Sequence, residues 1–246
     1  MTRQATASKK HYPIALSLQG KRCLVAGFGS VGQRKLARLL DLGEAGPEAI
    51  FVFDPYLPKD PPSALLRSAK VHCKRQSVTR ADLNVQLVFA CTGSQEENVR
   101  IAKLCAELGV LCNCASSPEC GDVHLPALIQ CPPLTLTLST EGASPALAKK
   151  WRRELETWAQ KKQPILQLMA VLRPKILAQA LPQTANRKLF TTLAQGPLEE
   201  WLACGQREKA HAYLTALLPK TLHQDLEIAL NDLFAEEDLK KTRERP

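Results

Sequence analysis

The sequence predicts an α/β protein: a doubly wound, mostly parallel sheet, then a short linking segment, then a small all-helical domain. Three observations predict it. Over residues 12–115, short apolar runs alternate with segments of helical periodicity through short connections, the mark of repeated βα units. Over 116–148 that pattern breaks, and one strictly alternating run, Leu134-Thr135-Leu136-Thr137-Leu138-Ser139, reads as a half-buried strand of a different kind. Over 149–246 the periodic segments are helical, and Pro182, Gly196, Gly205 and Pro219 mark their joints.

The first strand, Cys23-Leu24-Val25-Ala26, has the length and apolar character of a buried parallel strand. It runs into Gly27-Phe28-Gly29-Ser30-Val31-Gly32, a G-x-G-x-x-G, and then into a helix over 33–42. Leu36, Leu39 and Leu40 share one face of that helix, and Gly43 is placed to cap it. The three glycines have separate tasks: a tight turn, close backbone approach to a pyrophosphate, and close packing of helix on strand. The helix N-terminus adds free N–H groups and a partial positive charge. A second run, Ile50-Phe51-Val52-Phe53, ends in Asp54, about twenty residues beyond the last glycine. A carboxylate there accepts hydrogen bonds from both ribose hydroxyls and repels a 2′-phosphate. A bare glycine turn would explain the glycines but not the whole series. Strand, glycines, helix, second strand and acid together predict a Rossmann-type domain whose cofactor is NAD rather than NADP.

Pro55, Pro58, Pro61 and Pro62 then predict a surface loop. Lys70-Val71-His72-Cys73 is a short third strand, and residues 85–91 form a stronger fourth that ends in Thr92-Gly93. A helix over 96–108 buries Val99, Ala102, Leu104 and Cys105 and closes at Gly109. Val110-Leu111-Cys112-Asn113-Cys114 is the fifth strand. Ligands of such sheets sit beyond the carboxyl ends of the strands, so Gly27 to Gly32, Asp54, Thr92, Gly93 and residues 113–117 share one rim. Beyond the alternating strand, Ser144 at an N-cap with Pro145 behind it starts a helix. Leu147, Trp151, Leu155 and Trp158 share one face of it, while Lys149, Lys150, Arg152 and Arg153 lie largely opposite. Further helices are expected over 165–181, with Pro174 kinking or dividing it, and over 183–194, 197–203, 206–218 and 222–239. The alternating strand lies outside the βα repeat and needs a partner, which predicts pairing with its copy across a two-fold axis.

With 246 residues, 45% hydrophobic and 23% charged, the composition is that of an ordinary globular protein. No apolar run approaches the ~18 residues of a membrane span. Residues 1–11 carry Arg3, Lys9 and Lys10 and no apolar stretch, which reads as a polar arm on a cytoplasmic protein. The net charge of +9 calls for an acidic partner, and composition alone admits nucleic acid or a small polyanion. The few aromatic residues form no basic–aromatic stacking pattern, which argues against nucleic acid. Among nine cysteines, Cys112-x-Cys114…Cys120 with His124 lacks the paired spacing of a structural zinc site, so no metal is expected.

Across most of the chain these residues resemble the precorrin-2 dehydrogenases of sirohaem synthesis. Some members of that family are also sirohydrochlorin ferrochelatases, and some form the N-terminal part of a larger synthase. The likeness starts at Tyr12-Pro13-Ile14-Ala15-Leu16 and includes the glycine motif. It takes in Cys91-Thr92-Gly93 with Asn98, and the run NCASSPECGDVHLP from Asn113 to Pro126. Its most specific piece is Leu138-Ser139-Thr140-Glu141-Gly142-Ala143-Ser144-Pro145-Ala146-Leu147-Ala148. Arg187-Lys188-Leu189-Phe190 resembles a family motif too, and beyond Gly205 the likeness ends. The resemblance implies NAD-dependent oxidation of precorrin-2 to sirohydrochlorin. It implies a homodimer that exchanges its middle segment, here 116–148, and a tetrapyrrole bound between the Rossmann and helical parts. It also implies cofactor contacts from Thr92, Gly93 and Asn98. The implied substrate is fringed with carboxylates, and Ser144, Lys149, Arg152 and Arg153 suit it as an anion site. The same cations would equally serve to solvate an exposed helix face.

One departure stands out. Where the family carries an aspartate implicated in catalysis and metal insertion, this chain has Ser116. Asp122 and His124 are the titratable groups left nearby, so Ser116, Asp122 and His124 are the catalytic candidates. A turn-capping Asp and a surface His are the plain alternatives. A serine is neither a carboxylate base nor a comparable metal ligand, and the departure weighs on chelation more than on hydride transfer. Three readings follow: a dehydrogenase without chelatase activity, a bifunctional dehydrogenase and ferrochelatase, and a non-catalytic NAD- or tetrapyrrole-binding regulator.

Overall fold

The computed structural model describes residues 11–57 and 64–243, with side chains through Ala235. The arm over 1–10 and Pro58, Pro61 and Pro62 lie outside the described residues. The chain forms two compact units, Met1–Leu125 and Pro126–Pro246.

The first unit is a five-stranded parallel sheet. Its strands β1 (Arg22–Ala26), β2 (Ala49–Phe53), β3 (Val71–Lys74), β4 (Leu87–Ala90) and β5 (Leu111–Cys114) lie in the order β3-β2-β1-β4-β5. The chain winds outward from β1 to β3 and then returns to β4, so the switch point falls between β1 and β4. There Val25 pairs with Val52 on one side and Phe89 on the other. Helix α1 (Ser30–Leu40) lays Leu36 and Leu39 on one face of the sheet, against Cys23, Val25, Ile50 and Val52. Helix α2 (Gln95–Leu108) lays Ile101, Ala102 and Cys105 on the other, against Leu24, Val88 and Cys112. Covered on both faces, the inner strands β1, β2 and β4 need apolar residues at every position, which is why they read as runs and not as alternation. Residues 116–125 stay with this unit, because the Asp122 and Val123 N–H groups both donate to the Cys112 carbonyl (2.9 and 3.0 Å).

The second unit opens with an antiparallel hairpin, β6 (Ala127–Cys131) and β7 (Leu134–Leu138), in which Ile129 faces Leu136. The alternating strand therefore has its partner on its own chain, and the expectation that it stands alone is corrected. The partner went unread because Ala127-Leu128-Ile129-Gln130-Cys131 is brief, barely alternates and is hemmed by Pro126, Pro132 and Pro133. The segment 116–148, expected as one linking piece, is shared between the two units.

Helix α3 (Pro145–Leu177) corrects a second expectation, since no break falls before Ile165 and Pro174 does not divide it. Each interior proline removes a ladder hydrogen bond and costs about 3 kcal/mol. Packing on both halves outweighs this. Ala159 is buried with Ile129 and Cys131 of the hairpin, and Gln163 Nε2 donates to the Pro132 carbonyl (2.9 Å). Further along, Leu168, Leu172 and Ile176 are fully buried, each contributing about 1.5–3 kcal/mol. They pack against a bundle formed by α4 (Gln183–Gln195), α5 (Leu198–Ala203), α6 (Arg207–Leu217) and α7 (His223–Arg243). Among the described residues no helix is long and apolar enough to cross a membrane.

Candidate functional site

At the carboxyl end of β1 the three glycines do three different things. Gly27 has φ +93°, and a Cβ there would meet the Cys91 carbonyl and the Thr92 backbone at 2.6 Å. Gly32 lies so close beneath it that a Cβ would fall 2.0 Å from the Gly27 carbonyl oxygen. Gly29, the N-cap of α1, has no side-chain cap, and a Cβ there would meet nothing within 4 Å. Two glycines are thus demanded by the protein's own backbone, and the third opens on free space at a helix start. The first N–H groups of α1, from Ser30, Val31 and Gly32, have no intrahelical acceptor and converge there. These residues fit a dinucleotide pyrophosphate: an uncapped helix N-terminus with open space in front of Gly29.

Asp54 closes one side of the cradle. Its Oδ2 accepts from the Phe28 N–H (2.8 Å) and its Oδ1 from the Tyr56 N–H (2.8 Å). Each carboxylate oxygen keeps lone pairs to spare, so ribose hydroxyls are accommodated without breaking either bond. Beneath the loop the Cys91 thiol donates to the Gly27 carbonyl (3.7 Å), and burial pushes that thiol up to about 12. It stays a neutral packing group. Lys35 of α1 is held below the usual ammonium range by burial and then by the charges of Arg34 and Arg38.

Across the switch point the loop after β4 is fixed by Asn98 of α2. Its Oδ1 accepts from the Thr92 N–H (2.8 Å), and its Nδ2 donates to the Thr92 carbonyl (3.2 Å) and to Ser116 Oγ (3.1 Å). Asn98 is 1% exposed, so the amide expected to touch the cofactor instead holds the loop that would. Thr92 is half-buried, and Gly93 is exposed with open space around its Cα. A second tie, Gln95 Nε2 to Ser117 Oγ (3.0 Å), was not legible in the sequence.

The three catalytic candidates do not cluster. Ser116 is exposed at the end of β5 and joined to Thr92 through Asn98. Asp122 lies further back, on the strip that covers the edge of β5, where its charge reaches Cys105 and Cys112. The hydrogen bond that the Cys112 thiol donates to Cys105, together with burial, raises Cys112 well above the usual range, and Asp122 adds to that. His124 is exposed and lies against His11, ring centroids 3.8 Å apart and planes tilted by 44°. Cys112 and Cys114 are buried while Cys120 is exposed, and among the described residues no group of three His, Cys, Asp or Glu is arranged to hold a metal ion.

In the second unit Ser144 caps α3, its Oγ accepting from the Leu147 N–H (3.3 Å). Arg152 is committed to Glu156 (2.7 Å) and Lys150 to Glu154 (3.8 Å). Among the described residues no ion pair engages Lys149 or Arg153, and both are exposed on the first turns of the helix. Of the expected anion site, then, Ser144, Lys149 and Arg153 keep their capacity, and Arg152 is partly neutralised.

An NAD(P)-binding family model, NAD_binding_7, matches residues 14–127. The siroheme synthase of Nitrosococcus oceani is 31% identical over 211 residues, covering 85% of this chain and 44% of the relative. That of Azotobacter vinelandii is 29% identical over 218 residues, covering 86% of this chain and 46% of the relative. The chain thus spans less than half the length of these relatives. Among solved structures, the precorrin-2 dehydrogenase SirC superposes with a TM-score of 0.59 at 26% identity, over 81% of this chain and the whole of SirC. The first unit is an NAD(P)-binding domain.

Proposed function

We propose that this chain is a member of the precorrin-2 dehydrogenase family and oxidises precorrin-2 to sirohydrochlorin with NAD as the acceptor, a reading supported by its likeness to siroheme synthases and to SirC. The macrocycle loses two electrons and two protons. One hydride passes to NAD, giving NADH, and one proton goes to solvent. The bound nicotinamide supplies the hydride chemistry, and the protein's part is to hold and align.

The glycine cradle carries this reading. Its open third side at Gly29, its free helix N-terminus and the Asp54 carboxylate at its edge suit a dinucleotide whose ribose has both hydroxyls free, hence NAD. Thr92 and Gly93, locked by Asn98, form the wall of the same rim. Ser144 with Lys149 and Arg153 supplies dipole and charge for the carboxylates of the substrate. Metal insertion into the product is not part of this protein's work, because it needs a proton acceptor for the pyrrole nitrogens, and Ser116 offers a hydroxyl where a carboxylate would serve. We further read the protein as a cytoplasmic homodimer. Nine free cysteines suit a reducing compartment. A two-stranded hairpin is marginal alone, and beside it Leu147, Trp151 and Trp158 are 43%, 40% and 47% exposed.

An absorbance assay with precorrin-2 and NAD, followed by cobalt, tests the whole reading. Sirohydrochlorin and NADH should form one for one, and cobalt should then enter the macrocycle no faster than without protein. Absence of NADH would leave a binding protein without catalysis. Accelerated insertion that disappears in Asp122→Ala or His124→Ala would mean that a chelatase role has moved to those residues.

A further inference from the structure

We propose that Asn98 is a positioning residue that sets Ser116 as a hydrogen-bond donor on the cofactor rim, so that Ser116 receives an acceptor oxygen of a bound ligand. This rests on the dehydrogenase reading, which supplies two ligands with such oxygens: the carboxylates of the tetrapyrrole and the carboxamide of the nicotinamide.

The orientation of the Asn98 amide is dictated by backbone. The Thr92 N–H, 2.8 Å from Oδ1, can only donate, and the Thr92 carbonyl, 3.2 Å from Nδ2, can only accept. Turning the amide over would set N–H against N–H and oxygen against oxygen. Oδ1 also lies 2.8 Å from the Thr92 hydroxyl, whose single proton it shares with the Ser94 carbonyl at 3.0 Å. The group facing Ser116 is therefore Nδ2, which has hydrogens and no lone pair. In the 3.1 Å contact Ser116 Oγ must be the acceptor, and its own proton is left to give. Ser116 is exposed at the end of β5, so that proton is presented at the rim.

The chemistry at this point is the reverse of what a carboxylate would offer. An aspartate at 116 would accept from Asn98 just as the serine does, but it would then present only further acceptor oxygens and a negative charge. It would repel a carboxylate that the serine attracts. The buried Asn98 amide makes the polarity a property of the fold and not of a freely turning hydroxyl.

The test uses the full chain with Ser116→Ala, Ser116→Thr, Ser116→Asp and Asn98→Asp. NADH and sirohydrochlorin are titrated separately by fluorescence, and KM and kcat are measured with precorrin-2. Ser116→Ala should weaken one ligand about tenfold, the usual loss for a single hydrogen bond to an ionised or strongly polar acceptor, and Ser116→Thr should restore it. If sirohydrochlorin is the ligand affected, the acceptor is a carboxylate, and Ser116→Asp should bind it more weakly still than Ser116→Ala. If NADH is affected, the acceptor is the nicotinamide carboxamide. Asn98→Asp keeps the bond from the Thr92 N–H and loses both bonds that Nδ2 donates, to Ser116 Oγ and to the Thr92 carbonyl. Its activity should recover toward acid pH as the new carboxyl takes up a proton and donates again, a limb that the wild type lacks. Ser116→Ala with both affinities within twofold of wild type overturns the proposal, even if turnover is normal. A wild type that forms no NADH, yet binds a ligand in a Ser116-dependent way, overturns the dehydrogenase reading and supports this one.

Discussion

Gly29 and Gly32 are three residues apart, and the structure predicts opposite consequences for the same added methyl group. At Gly32 a Cβ would fall 2.0 Å from the Gly27 carbonyl oxygen. That is roughly 1 Å inside van der Waals contact with backbone, so the helix or the loop must move. Overpacking of this kind costs about 1–3 kcal/mol, occasionally more. In a unit of this size about 1 kcal/mol shifts Tm by roughly 4 °C, so Gly32→Ala should lower it by about 10 °C. At Gly29 nothing lies within 4 Å, and the backbone (φ −69°, ψ −173°) is open to any residue. The weaker N-cap of alanine is offset by the smaller conformational freedom of the unfolded chain, about 0.4–1 kcal/mol, so Tm should stay within about 2 °C. Its methyl would enter the space that the proposed site leaves for the pyrophosphate, and a loss of about 2 kcal/mol is roughly 30-fold in affinity. Gly29→Val should abolish detectable binding. Thermal unfolding and NADH fluorescence titration on the same samples decide the matter. A Gly29→Ala protein that binds NADH like the wild type would show that the open side of Gly29 does not face the cofactor.

Replacing Asp54 with Asn removes the charge that excludes a 2′-phosphate, so NAD should weaken about tenfold while the NADP-to-NAD preference rises; unchanged NAD affinity with no gain for NADP takes Asp54 out of the site. Burial pushes the Cys23 and Cys91 thiols up to about 12, above an unfolded value of about 8.5. Their contribution is therefore complete below pH about 8.5 and is lost as pH rises toward 12, at about 1.4 kcal/mol per pH unit for each. Urea unfolding at pH 7.5 and 10 should show the fall, with a shallower one in Cys23→Ala; identical slopes in the two proteins contradict it. Sedimentation at micromolar concentration should find a dimer that Trp151→Glu or Trp158→Glu dissociates, and an active wild-type monomer would refute the proposed assembly.

The first unit was legible because its signals are local. Strand, glycines, helix, strand and Asp54 follow one another within 33 residues of chain, from Arg22 to Asp54, and each is tied to its neighbours by short-range geometry. What escaped the sequence depends on distant partners. Pro164 looks like a helix end when only its neighbours are seen, yet Pro132 on one side and the bundle on the other hold the helix together. The strand Ala127–Cys131 is recognisable only once Leu134–Leu138 lies beside it. Asn98 is expected as a cofactor contact only through the family resemblance. That its amide is spent on Thr92 and Ser116 emerges only when α2 and β5 are brought side by side.

The 33-residue helix α3 also has a mechanical side. At 1.5 Å per residue it is a rod of about 50 Å, clamped at one part by the hairpin and at another by the bundle. Pro174 sits between Leu172 and Ile176, both fully buried, so its missing ladder bond is braced. Pro164 falls where the two grips overlap: Gln163 is tied to the Pro132 carbonyl of the hairpin, while Lys162 pairs with Glu199 and Ile165 packs on the bundle. Both missing ladder bonds are thus bridged from outside the helix. The two prolines leave α3 a stiff lever, with the capped end at Ser144 on one arm and the bundle on the other.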